Sequence, residues 1–144
     1  MRRIFILLLV FNLSNAMAQI DSQLRYNSDE RNYYLWNAEK ENYDFVETEY
    51  EHSLIDIRVK GSKTNGYIAI SLVDDGRARL FHGSIKNFTT NENNEQEWIL
   101  QSKNLKSKLT FNEKENTLTY LYDSNDENTR YLRILIFKIR PEER

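Results

Sequence analysis

The chain has 144 residues, a formal net charge of −2 and no cysteine, so stability must come from a buried core; no disulfide or thiolate metal site can supply it. Thiol catalysis and thiol redox chemistry are excluded on the same ground. The acidic balance, with no basic cluster beyond Lys103, Lys106 and Lys108, argues against a nucleic-acid partner, and four Gly with one Pro argue against a linker or low-complexity stalk.

Residues 1–18 have the three parts of a cleavable secretory signal peptide. Arg2 and Arg3 give the positive end. Ile4 to Phe11 form an apolar run too short to span a bilayer, which takes about 20 residues. Ala16-Met17-Ala18 puts small residues at both specificity positions before Gln19. The expectation is an exported protein, periplasmic or secreted from a bacterial host. No Cys stands near the site for lipid attachment, and no later apolar run is long enough to span a membrane as a helix. Loss of Arg2 and Arg3 leaves the mature chain more acidic still.

Residues 19–31 are polar with scattered apolar positions and are expected to form a loose N-terminal segment ahead of a single β domain, 32–144. From Asn32 onward, strand patterns alternate with turn chemistry. The spacing predicts strands at 32–37, 43–50, 53–60, 67–73, 77–86, 97–101, 107–111, 117–122 and 130–139, and helical periodicity is nowhere sustained.

Turn chemistry sets expected registers. A tight turn at Glu51-His52 would place Val46 opposite Ile57, leaving Glu47, Glu49, Asp56 and Arg58 on the other face. Asn65-Gly66 is a strong type I′ signal and would set Val59 against Leu72. Two turns thus assign Ile55, Ile57 and Val59 to one face. At Asp74-Asp75-Gly76 a three-residue loop turns Ala78, Leu80 and His82 inward, whereas a two-residue turn selects Arg79, Phe81, Gly83 and Ile85. A loop at Asp123–Thr129 would pair Tyr120 with Leu132 and Leu118 with Ile134. The run Tyr131–Phe137 is the most apolar of the mature chain, interrupted only by Arg133, and predicts a central strand.

The fold class is therefore all-β: an antiparallel meander of eight or nine strands, expected to close as a small β-barrel, with a two-sheet β-sandwich as the alternative.

Catalytic motifs are scarce. His52 and His82 are the two histidines and form no spaced ligand pair. No G-x-S-x-G elbow, phosphate-binding Gly-rich loop or dinucleotide fingerprint is present. Glu47 and Asp56, opposite each other in the Glu51-His52 register, form a candidate cation-binding or acid–base pair. The acidic stretches at Asp74-Asp75 and Asp123–Glu127 match turn chemistry better than any calcium loop. Asn87-Phe88-Thr89 is an N-glycosylation sequon, meaningful only in a eukaryotic host.

Aromatic residues carry the binding expectation. Trp36, Tyr34, Tyr43, Tyr120 and Tyr122 lie in the first two and the penultimate strands, which a closed barrel brings close together, and they suit a ligand cavity. A barrel with Trp in its first strand invites comparison with lipocalins. Their G-x-W motif is absent, because Tyr34-Leu35 precedes Trp36, and no family is assigned. The first functional expectation is a non-enzymatic binding module, without cofactor, for a small apolar or glycan ligand. The alternatives are an accessory module docking another exported or outer-membrane protein, and a hydrolase using carboxylates such as Glu47 and Asp56.

Overall fold

A computed structural model describes residues 21–125 and 130–141; the signal-peptide reading of 1–18 lies outside the described residues. Within them the chain is all β: β1 (Asp21–Asn37), β2 (Asn42–Glu49), β3 (Ser53–Lys60), β4 (Gly66–Asp74), β5 (Arg77–Thr90), β6 (Gln96–Ser102), β7 (Leu105–Asn112), β8 (Thr117–Asn125) and β9 (Arg130–Pro141). The antiparallel order β1-β3-β4-β5-β6-β7-β8-β9 closes through a β1–β9 pairing, giving an eight-stranded barrel, with β2 added outside it on β1. The meander and the barrel stand as expected, and the sandwich does not form.

The segment expected to be loose is a correction. Residues 21–31 are the first half of the 17-residue β1 and pair with β3, from Asp21–Lys60 to Ser28–Ser53. Polarity hid the strand, because two of its inward residues are polar and buried: Ser28 and Arg31 are each 1% exposed.

The second correction concerns β2 and β3, which do not form a hairpin at Glu51-His52. They run in line along the same edge of β1, β2 beside Arg31–Asn37 and β3 beside Asp21–Ser28. Residues 50–52 bridge the break. Opposite it, β1 shifts register against β9 between Asn27 and Glu30, and Ser28 Oγ donates to the Glu30 carbonyl at 2.8 Å. Arg31 fills the corner. Its Nε binds the Glu49 carboxylate, Nη1 donates to Ser53 Oγ at 2.9 Å, and Nη2 donates to the Val73 carbonyl at 2.6 Å. A tight hairpin would have left this buried guanidinium without those partners.

The remaining registers decide which side chains line the interior. Between β3 and β4 the observed pair is Val59–Gly66, not Val59–Leu72. That displacement is even, so the predicted face survives: Ile55, Ile57, Ile68, Ile70 and Leu72 are all buried. The β4–β5 turn is the two-residue form, with Asp75 and Gly76 both at positive φ (50° and 73°) and Asp74 paired with Arg77. Phe81, Gly83 and Ile85 consequently point inward, while Leu80 and His82 are exposed. A further register shift against β6, between Ile85 and Asn87, lets both Ile85 and Phe88 face the core.

At β8–β9 the pairs are Tyr120–Leu135 and Leu118–Phe137, not the expected Tyr120–Leu132 and Leu118–Ile134. An odd displacement exchanges faces. Leu135 and Phe137 join the core, and Leu132 and Ile134 lie half-buried on the outer wall. β8 continues to Asn125, past the start of the predicted loop, and this sets the shift. The interior is then packed with Ile55, Ile57, Ile68, Ile70, Trp98, Leu100, Leu109, Leu118 and Phe137.

Candidate functional site

Strand direction gives the barrel two unlike ends. The β3–β4, β5–β6 and β7–β8 loops sit at one end, where Tyr26, Phe88, Trp98 and Phe111 pack against the core. The β1–β2, β4–β5 and β6–β7 connections sit at the other, and there the apolar filling gives way to a polar mouth. Tyr33 and Leu35 continue the inward face of β1 above the barrel, with Glu49 opposite Arg31 and Glu47 opposite Tyr33 on β2.

Among the described residues, two cavities open at this end. One, of about 200 Å³, lies among Arg31, Glu47, Glu49, Asp74, Arg79 and Arg133, with Tyr33, Leu72, Tyr122 and Leu135 beneath them. The other, of about 240 Å³, lies beside Phe81, Ser102, Leu105, Ser107, Tyr120 and Tyr122. Tyr122 borders both. It stacks on Tyr120 (centroids 5.1 Å apart, 11° between planes) and packs against Phe81 at 4.9 Å, forming an aromatic partition between the cavities.

The arginines around the mouth are paired with carboxylates. Arg79 Nη1 donates to Asp74 at 2.8 Å, and its guanidinium lies 5.1 Å from the Phe81 ring centre. Arg133 donates through Nε to Asp123 at 3.0 Å and through Nη1 to the Tyr33 hydroxyl at 2.8 Å. The Asp123 hydrogen bond holds the Arg133 pKa above its ordinary value. Burial, reinforced by the neighbouring Tyr33 phenol, pushes Tyr122 up to about 12, and burial also raises Tyr120. Tyr122 is a neutral phenol at physiological pH, and its hydroxyl has no hydrogen-bond partner among the described residues. The Glu47 side chain likewise has none.

The five aromatic residues expected at one site divide between two. Tyr120 and Tyr122 stand in the mouth. Tyr34, Trp36 and Tyr43 lie on the outer face of the β1–β2 wall, with Trp36 between the Tyr43 ring (5.0 Å) and the Arg130 guanidinium (4.1 Å), and Tyr34 against Phe45 (5.5 Å). The Tyr43 hydroxyl donates to the Tyr131 carbonyl at 2.6 Å, which ties β2 across to β9. Closure does bring first and last strands together, but a strand has two faces and these residues fall on different ones.

The Glu47–Asp56 pair is a correction as well. Glu47 rims the mouth, whereas Asp56 sits opposite Arg25 and Ala69, on the face of β3 away from the core. There it accepts Gln23 Nε2 at 3.0 and 3.1 Å and pairs with Arg25 (3.6 Å) and Arg58 (3.8 Å). The register that placed these carboxylates together required the absent β2–β3 hairpin. Among the described residues no cluster of three or more His, Asp or Glu side chains is arranged to hold a metal. His52 is exposed and contacts Asp29 at 3.0 Å; Asn87 is exposed on β5.

Sequence reasoning missed Arg31, Asp74, Arg79 and Phe81 as mouth residues. A signal existed for Arg133, the one charge inside Tyr131–Phe137, because a charge at an inward position of a barrel strand must reach an open end or a partner. No protein-family model, curated protein or solved structure matches this chain.

Proposed function

We propose that the protein is an exported, non-enzymatic binding module that takes a small, neutral, hydroxyl-rich ligand of the glycan class at the open end of its barrel. The observation that carries this reading is Tyr122, a neutral phenol with no partner among the described residues, standing between two cavities and backed by Tyr120 and Phe81. Aromatic faces take the C–H surface of a sugar ring, and a phenol can both donate to and accept from its hydroxyls. The surrounding arginines are already matched by carboxylates, which favours a neutral ligand over an anion.

The same geometry argues against apolar cargo. Space for it would have to lie inside the barrel, where Ile55, Ile57, Ile68, Ile70, Leu100 and Leu109 fill the interior. Each cavity falls below the roughly 300–1,000 Å³ of a drug-sized pocket, so the fit is to one or two sugar units. Export rests on the residues of 1–18.

Saturation-transfer NMR with neutral mono- and disaccharides tests the reading. The expected result is transfer to at least one sugar, with affinity reduced about five- to tenfold in Tyr122→Phe, as loss of one hydrogen bond implies. Absence of transfer to any sugar, or binding indifferent to Tyr122→Phe, sinks it.

A further inference from the structure

Eight strands of this fold have both edges engaged, because the barrel closes on itself; β2 is engaged along one edge only, by β1. Among the described residues no strand covers the other edge of Asn42–Glu49. A row of unpaired backbone groups is a template for another strand, and exposed edges are ordinarily shortened or covered. We propose that the free edge of β2 is a docking edge for an extended, lysine- or arginine-bearing segment of another protein, which pairs with it as an added strand.

The chemistry of the partner follows from the two faces of β2. Asp44, Glu47 and Glu49 oppose Leu35, Tyr33 and Arg31, and so share the mouth face; Tyr43, Phe45 and Thr48 share the outer one. From Glu39 to Glu51 the chain carries six acids and a single base, Lys40. Glu49 is held by Arg31, Asp44 by Asn37 and Lys40, and Glu51 by the Asp75 amide. The side chains of Glu39, Glu41 and Glu47 have no partner among the described residues. Phe45 (56% exposed), Val46 (48%) and Tyr50 (75%) add apolar surface along the same stretch.

A second copy of this chain is the wrong occupant. Antiparallel β2–β2 pairing about Phe45 and Val46 would set Asp44 of each copy against Glu47 of the other, and like charges directly opposite destabilise a sheet. A segment alternating basic and apolar residues meets both faces: its cations fall beside Glu47 on the mouth side, and its apolar side chains fall beside Phe45. Main-chain hydrogen bonds supply affinity in this mode, side-chain alternation supplies selectivity, and opposite charge speeds encounter.

The probe is a capped ten-residue peptide alternating Lys and Val, compared with its Glu-for-Lys counterpart and with a Lys–Val peptide N-methylated on the backbone amides of one edge. Amide exchange is followed in the purified protein by NMR. The expected result is slowed exchange at those β2 amides that point away from β1, on adding the Lys peptide. Affinity falls at least tenfold on N-methylation and on Glu47→Lys, the Glu peptide binds the Glu47→Lys protein in its place, and Tyr122→Phe leaves peptide binding unchanged. N-methylation leaves the protein untouched, so its effect cannot come from misfolding. Equal binding by the N-methylated peptide, absence of new protection in β2, or a concentration-dependent dimer that already protects those amides would each overturn the proposal.

Discussion

Tyr122 shows how one residue couples the mouth to the stability of the whole barrel. Its phenol sits against Tyr120 and Phe81, with a pKa pushed up to about 12 chiefly by burial. A folded-state pKa above the unfolded value of about 10 means that the native state holds this proton more tightly. The contribution is present in full below pH 10 and is lost as pH rises toward 12, amounting to about 2 kcal/mol once partial exposure is discounted. Urea unfolding between pH 9 and 12 should show a steeper loss of stability in the wild type than in Tyr122→Phe, and parallel curves would refute the assignment. The identity of Tyr122 as a candidate ligand residue was legible, because aromatic residues in terminal strands suit a cavity. Arg31 was not. Its polar neighbours read as loop, and the groups that satisfy it (Glu49, Ser53 and the Val73 carbonyl) lie 18, 22 and 42 residues away.

At the scale of strands and turns, the sequence is most informative where backbone conformation restricts residue choice. Asp75-Gly76 occupies a turn that needs two positive φ values, and once that turn is chosen the inward face of β5 follows. Gly66 is more demanding: at φ +148°, an added Cβ would stand 1.9 Å from the Arg58 carbonyl oxygen. Gly61 has φ +70° with nothing within 4 Å of its would-be Cβ, so there an Ala meets only the left-handed backbone cost of about 1–2 kcal/mol. Gly66→Ala should therefore destabilise the protein by clearly more than Gly61→Ala in matched denaturant titrations; equal losses would mean the β3–β4 hairpin relaxes freely. Register errors mattered according to parity. The even error between β3 and β4 left the core face intact, whereas the odd one between β8 and β9 exchanged Leu132 and Ile134 for Leu135 and Phe137. The in-line arrangement of β2 and β3 was illegible because Glu51-His52 is compatible with a turn, and a buried arginine elsewhere in the chain decides against it.

Over the whole molecule, closure is the costly step. Seven of the eight barrel seams join strands at most one short element apart in sequence, but the β1–β9 seam joins strands far apart in the chain: Arg133 reaches the Tyr33 hydroxyl over 100 residues, and Arg140 reaches Asp29 over 111. Loop-closure entropy must be met before such contacts reward the chain, so all-β topologies of this kind fold in milliseconds to seconds. Local hairpins should form first and the seam last. Ile70, buried on β4 opposite Ile55, reports on a hairpin; Leu135, buried on β9 opposite Tyr33, reports on closure. Ile70→Val should cost about 1 kcal/mol and slow folding, whereas Leu135→Ala should cost about 2–4 kcal/mol and act mainly by accelerating unfolding. Stopped-flow chevrons of the two variants separate these effects. A Leu135→Ala protein whose entire loss appeared in the folding limb would place closure before the transition state and reverse the order of assembly. The strand left outside that closed seam is β2, so the edge that closure does not remove is also the one that carries Glu47, whose side chain has no partner among the described residues.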